Sequence, residues 1–120
     1  IQVWTDKSIY KVGDTLRIHF RSNSDCYVYL YHESEKGESS LIFPNRYDAN
    51  NFVNGGRVYT IPDETYGFEL AVTPPIGVES IKVLATTSPK KADQWRSEGV
   101  RGIVTKVKGR EDAITYRVVR

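Results

Sequence analysis

At 120 residues, with 39% hydrophobic and 27% charged side chains, the chain has the size and composition of one ordinary globular domain, which excludes a disordered tail. Seventeen basic against fifteen acidic residues give a net charge of only +2, short of the footprint of a dedicated nucleic-acid binder, and no apolar run approaches the roughly 20 residues of a membrane-spanning helix. With no methionine the chain is expected to be a processed or excised part of a larger protein, and its single cysteine, Cys26, leaves cytoplasm and bacterial periplasm both open.

Two-residue periodicity dominates from the first residues. A strand is expected over Ile1 to Thr5. Another covers Thr15 to Ser22, where Leu16, Ile18 and Phe20 alternate with Arg17, His19 and Arg21. Ser22-Asn23-Ser24-Asp25 supplies the turn of a hairpin into Asp25 to Glu33. That strand puts Cys26, Val28, Leu30 and His32 on one face and Tyr27, Tyr29 and Tyr31 on the other. A strand at Ser40 to Phe43 leads into a long polar loop, Asn45 to Gly56. Strands follow at Arg57 to Ile61, at Tyr66 to Thr73 with Phe68, Leu70 and Val72 inward, and at Val78 to Thr86 with Ile81, Val83 and Ala85 inward. A short helix is expected at 89–97, where Ser88 caps Pro89. Val100 to Val107 is read as a strand from its β-branched residues, and Asp112 to Val119, with Ile114, Tyr116 and Val118 buried, closes the fold. Pro and Gly break the runs at the spacing of a sandwich or barrel. The expectation is a one-domain, all-β, two-sheet antiparallel sandwich with Leu16, Ile18, Phe20, Val28, Leu30, Phe68, Leu70, Val72, Ile81 and Val83 in its core.

No residues with a catalytic spacing emerge. Cys26 shares a face with Val28 and Leu30 and reads as a buried, inert thiol; His19 and His32 have no motif around them. One cysteine and two histidines do not make a zinc site, and the Asp48 to Gly55 run lacks the later glutamate of a calcium loop, with Tyr59 in its place. No metal, cofactor or catalytic residue is therefore assigned. Two surfaces remain as ligand candidates. One is the stripe Tyr27, Tyr29 and Tyr31, expected to face outward with Arg17 and its neighbours on the adjacent strand alongside, an arrangement that stacks on sugars, bases or proline-rich peptides. Cross-strand packing explains the same stripe without a ligand. The other is the long loop with Arg46, Tyr47 and Asn50, too long for a simple hairpin and rich in donors and acceptors.

The order of Trp4-Thr5-Asp6-Lys7, Tyr10-Lys11-Val12-Gly13-Asp14, Asp25-Cys26-Tyr27-Val28-Tyr29-Leu30, Leu41-Ile42-Phe43-Pro44-Asn45, Tyr59-Thr60-Ile61-Pro62 and Gly77-Val78-Glu79 resembles a bacterial family classed as a domain of unknown function. The resemblance runs from about Trp4 to Thr87. The opening segment is also similar to macroglobulin-type sandwich domains. What the resemblance implies is an immunoglobulin-like sandwich without catalytic residues, an accessory module attached to peptidase, kinase-like or lipoprotein parts of bacterial envelope proteins. The expected function is accordingly a non-catalytic binding or spacer module in a periplasmic or extracytoplasmic setting. Its partner would be a protein or the attached domains of the parent chain. The alternative is a small aromatic-lined domain that binds carbohydrate or nucleic acid. The turn residues have a structural reading of their own. Gly13 supplies positive φ, Asp14 accepts backbone amides, and Tyr10 packs over the corner.

Overall fold

The computed structural model describes residues 1–89 and 110–120. Eleven strands are present among them. They are β1 (Gln2–Thr5), β2 (Ile9–Lys11), β3 (Thr15–Leu16), β4 (Ile18–Arg21), β5 (Cys26–Glu33), β6 (Ser39–Phe43), β7 (Phe52–Val53), β8 (Val58–Ile61), β9 (Leu70–Ala71), β10 (Gly77–Thr86) and β11 (Arg110–Val119). They form an all-β sandwich. One layer has the order β1-β4-β8 and the other β2-β11-β10-β5-β6, with β7 also on β5; β3 and β9 make a separate two-stranded ribbon.

The long inner strands form because their alternation suits burial. Ile18 and Phe20 of β4 and Val28 and Leu30 of β5 are completely buried, as are Ile81 and Val83 of β10, and all six belong to one cluster between the layers. Each such apolar burial contributes roughly 1.5–3 kcal/mol. Phe20 anchors the centre, stacked on Tyr59 at 5.4 Å between ring centroids and tilted against Phe43 at 5.7 Å. Cys26 is buried, and its thiol donates to the Ser22 hydroxyl at 3.3 Å.

Several expectations need correction. The Ser22 to Asp25 turn does not close a hairpin, because β4 pairs with β1 and β8 while β5 pairs with β10, β6 and β7. The turn instead carries the chain from one layer to the other. The apolar faces of the two strands then meet across the core, which edge-to-edge pairing would not achieve. The turn is tied to the loop before β8. Gly56 N donates to Ser22 O at 2.8 Å and Gly55 N to Asp25 Oδ1 at 2.7 Å.

The pairing is not antiparallel throughout. β2 runs parallel to β11, with Ile9, Tyr10 and Lys11 opposite Arg117, Val118 and Val119. The expected strand from Tyr66 to Thr73 is replaced by a 3-10 turn, Glu64–Tyr66, followed by the two residues of β9. Asp63 caps that turn through Thr65 N at 2.7 Å, and Gly67 leaves it at φ 74°. The change of direction turns Phe68 out to 37% exposure, so it is not a core residue; Leu70 is half-buried, while Val72 is buried as expected. The expected helix at 89–97, but for Pro89, and the expected strand at 100–107 lie outside the described residues.

Candidate functional site

The tyrosine stripe does not face solvent. Tyr29 and Tyr31 are 2% and 1% exposed and form a second small core with Leu84 on the far face of the larger sheet, with Tyr27 and Leu41 packed against it. Its strand is therefore buried on both faces, which alternation between apolar and tyrosine residues cannot reveal. Tyr27 is half-buried, edge-on to Phe52 at 5.1 Å. Arg17 does not flank these tyrosines, since it stands between β3 of the ribbon and β4 of the smaller layer; its guanidinium is exposed and lies 3.4 Å from Asp6.

The loop after β6 is a better-built surface. Asn45 organises it: Oδ1 accepts Tyr47 N at 2.8 Å and Asp48 N at 2.9 Å, and Nδ2 donates to Ile42 O at 2.9 Å. Two residues of the expected long loop, Phe52 and Val53, pair with β5 as β7, so the free part is shorter than expected. Asn50 is exposed and accepts Phe52 N at 3.2 Å.

Tyr47 stands out of this loop at 57% exposure. It is stacked on Tyr66 at 6.5 Å and tilted against Phe68 at 4.9 Å, and Tyr66 and Phe68 are 5.5 Å apart. The Arg46 guanidinium lies 5.1 Å over the Tyr47 ring and donates to its hydroxyl at 3.2 Å. Beneath them the Tyr66 hydroxyl donates to Asp48 Oδ2 at 3.1 Å. Burial, reinforced by the Asp48 carboxylate, raises the Tyr66 pKa and keeps the phenol a donor. Tyr66 is thus fixed from below by a hydrogen bond, and Tyr47 and Phe68 pack against it with their outer faces open.

One depression is bordered by Phe68 and a second by Asp48, and Asp63 borders both. The first, of about 420 Å³, is lined by Phe68, Arg17, Glu64 and Glu69 among others; the second, of about 470 Å³, includes Asn50, Asp48, Arg57 and Tyr59. Arg17 lines the depression beside Phe68, Tyr47 with Arg46 over it packs on Phe68, and Asn50 lines the second depression, while Tyr29 and Tyr31 lie apart in the second core. Sequence patterning misses Phe68 and Asp63 as surface residues and the buried Tyr66 as their support. The Pro62-Asp63 start and the glycine at 67 were the available signals of a capped turn.

A family model, a domain of unknown function (DUF4384), matches residues 9–89. The chain belongs to the DUF4384 family. Comparison with curated proteins and with solved structures gives no match. The matched part of the chain runs from β2 to just past β10, so β1 and β11 lie outside it. Its turn residues have structural work. In the DUF4384 domain Tyr10 is fully buried with its hydroxyl accepting Lys7 N at 3.0 Å, and Asp14 Oδ2 accepts Lys11 N at 2.9 Å. That backbone bond, with Lys7 beside it, lowers the Asp14 pKa. Gly13, at φ 95°, donates to Val72 O at 2.8 Å and joins the corner to the ribbon.

Elsewhere in the DUF4384 domain His19 lies on the outer face of β4, with Nε2 at 2.7 Å from Asp6 and Nδ1 at 2.8 Å from the Thr60 hydroxyl, its ring stacked on Trp4 at 5.7 Å. The His19 hydrogen bond lowers the Asp6 pKa. Among the described residues no three His, Cys, Asp or Glu side chains converge as a metal site requires.

Proposed function

We propose that this domain is a non-catalytic binding module of a larger bacterial envelope-associated protein, and that it meets its partner through the surface around Tyr47 and Phe68. The observation that carries the reading is the aromatic trio itself. Large rings held rigidly and left in water are the usual anchors of a recognition surface, because their area is gained on binding at little cost in side-chain entropy. The strand order supports an immunoglobulin-like reading of the sandwich: β1-β4-β8 corresponds to strands A, B and E, and β11-β10-β5-β6 to G, F, C and C′. Such modules present loops for recognition while the sheets serve as a rigid mount.

A carbohydrate partner is the second reading, favoured by Phe68 beside a polar depression. Rings stack on sugar faces while carboxylates accept hydroxyl hydrogens. Asp63, Glu64 and Glu69 on that depression repel phosphates, which weighs against single-stranded nucleic acid.

The test compares the wild type with the Tyr47→Ala/Phe68→Ala double variant. Each is titrated with cell-wall oligosaccharides, with a proline-rich peptide and with oligo-dT at low and high salt, and assayed for capture of the remainder of the parent protein. The reading expects loss of binding to one non-nucleic-acid probe or of capture, with the melting temperature nearly unchanged. Undiminished binding and capture by the double variant would show that this surface is not the site.

A further inference from the structure

The outer face of the larger layer is closed over Tyr29, Tyr31 and Leu84 but open at the end where β2, β11 and the start of β10 lie side by side. Tyr10 of β2 and Val118 of β11 are buried in the main core, so their strand neighbours Ile9 and Arg117 point outward, as does Val78 opposite Arg117. Ile9, Arg117 and Val78 thus form one row across three strands, about 10 Å wide. The next row adds Lys11 opposite Val119. Ile76 and Arg120 border the same open depression, of about 390 Å³, as Val78, Arg117 and Val119. Ile9 is 58% exposed, Ile76 49% and Val78 37%, so these aliphatic side chains are uncovered.

The charges beside them are uncovered too. Lys11, Arg117 and Arg120 make no ion pair and no side-chain hydrogen bond among the described residues, whereas Lys7, Arg17 and Lys82 each lie against a carboxylate. Glu35 is the single acidic residue on the depression. A contiguous aliphatic patch with unpaired cations is complementary to a partner that is apolar and anionic at once.

We infer that this end of the sheet docks on an anionic lipid bilayer, with Ile9, Ile76 and Val78 entering the boundary between headgroups and acyl chains and Lys11, Arg117 and Arg120 meeting the phosphates. Aliphatic area flanked by basic side chains is what binding in the plane of such an interface requires. No hydrogen bond holds the three cations in one geometry, which suits mobile headgroups better than the fixed, bidentate recognition of a protein carboxylate. A second copy of the chain is a poor occupant, because a two-fold contact through this patch would bring like charges together. The patch shares no lining residue with the depressions beside Phe68 and Asp48, so it stands apart from the surface around Tyr47.

The test measures co-sedimentation of the 120-residue chain with vesicles of phosphatidylcholine alone or mixed with phosphatidylglycerol, at low and at high salt. Binding is expected to the anionic vesicles only, and salt should weaken it. Arg117→Glu should weaken it roughly twentyfold, since one charge near such a surface changes binding about fivefold and this substitution reverses one. Ile9→Ser should weaken it about tenfold by removing aliphatic area that binding buries. Both residues are exposed, so both variants should melt with the wild type. Arg57→Glu makes the same charge change just before β8 of the smaller layer and should have a far smaller effect. Failure of the wild type to bind anionic vesicles overturns the inference whatever the variants do. So does equal binding to neutral vesicles, undiminished binding by Ile9→Ser, or an equal loss with Arg57→Glu, which would mark an effect of net charge alone. Capture of a soluble peptide of alternating leucine and glutamate without vesicle binding would overturn it in favour of an acidic protein partner.

Discussion

Tyr31 illustrates how a single atom separates burial from satisfaction. Its ring is enclosed in the second core, yet its hydroxyl has no hydrogen-bond partner among the described residues. Tyr31→Phe removes a buried polar atom with no partner among the described residues, so it is expected to be neutral or to stabilise by up to about 1 kcal/mol, read by urea denaturation. A loss of that size instead would show that the hydroxyl is bonded in solution. The same burial pushes Tyr31 up to about 12, and burial plus the nearby Glu79 charge does so for Tyr116. Their folded values exceed the unfolded value of about 10, so the native state holds these protons more tightly. Their contribution is complete below about pH 10 and is lost as pH rises toward 12. Denaturation midpoints measured across that window should fall steeply, with tyrosinate absorbance rising late and together with unfolding; a flat profile would contradict the burial. Glycine 77 has a similar local explanation. It adopts φ 145°, and a Cβ there would collide with Glu35 Oε2, so the Gly77-Val78-Glu79 signature begins on a backbone requirement.

At the level of elements, the Ser22 to Asp25 connection decides most of the architecture. A Cβ on Gly55 would lie 2.8 Å from Ser24 Cα and 2.9 Å from Asn23 O, so the crossing turn is packed directly on the loop before β8. Gly55→Ala must move backbone and is expected to cost about 1–3 kcal/mol, comparable with overpacking a core. An unchanged thermal midpoint would mean that the crossing is not held there. Turn chemistry was read correctly for this segment, but its partner was not. Ser, Asn and Asp announce a reversal without saying whether the next strand returns to the same sheet. The segment after β8 failed in the opposite way. Phe68, Leu70 and Val72 alternate as a strand would, but the Asp63 cap and Gly67 take the chain through a 3-10 turn first, and Phe68 joins the surface around Tyr47.

For the whole molecule, the strands outside the family match complete both layers. β11 pairs with β10 over nine residues and with β2, burying Tyr116 and Val118, and β1 edges the smaller sheet, tied to β11 by Val3 N donating to Asp112 Oδ2 at 3.0 Å. A 9–89 fragment is therefore expected to lack a cooperative unfolding transition, whereas the 120-residue chain shows one; a cooperative fragment would place the core within β2 to β10 alone. Residue alternation by itself determined the all-β class, the position of β1, β5, β6, β8, β10 and β11, and the inward sets Ile18–Phe20, Val28–Leu30 and Ile81–Val83, because those depend on which side of one strand faces apolar neighbours. It also placed Arg46, Tyr47 and Asn50 on a recognisable loop. Only the tertiary structure decided that Tyr29 and Tyr31 are interior, that β2 runs parallel to β11, and that Phe68 meets Tyr47. It alone decided that Glu79 lies buried beside His32. These facts depend on what covers the second face of a sheet and on which distant segments share an edge. Period-two patterning carries no record of either.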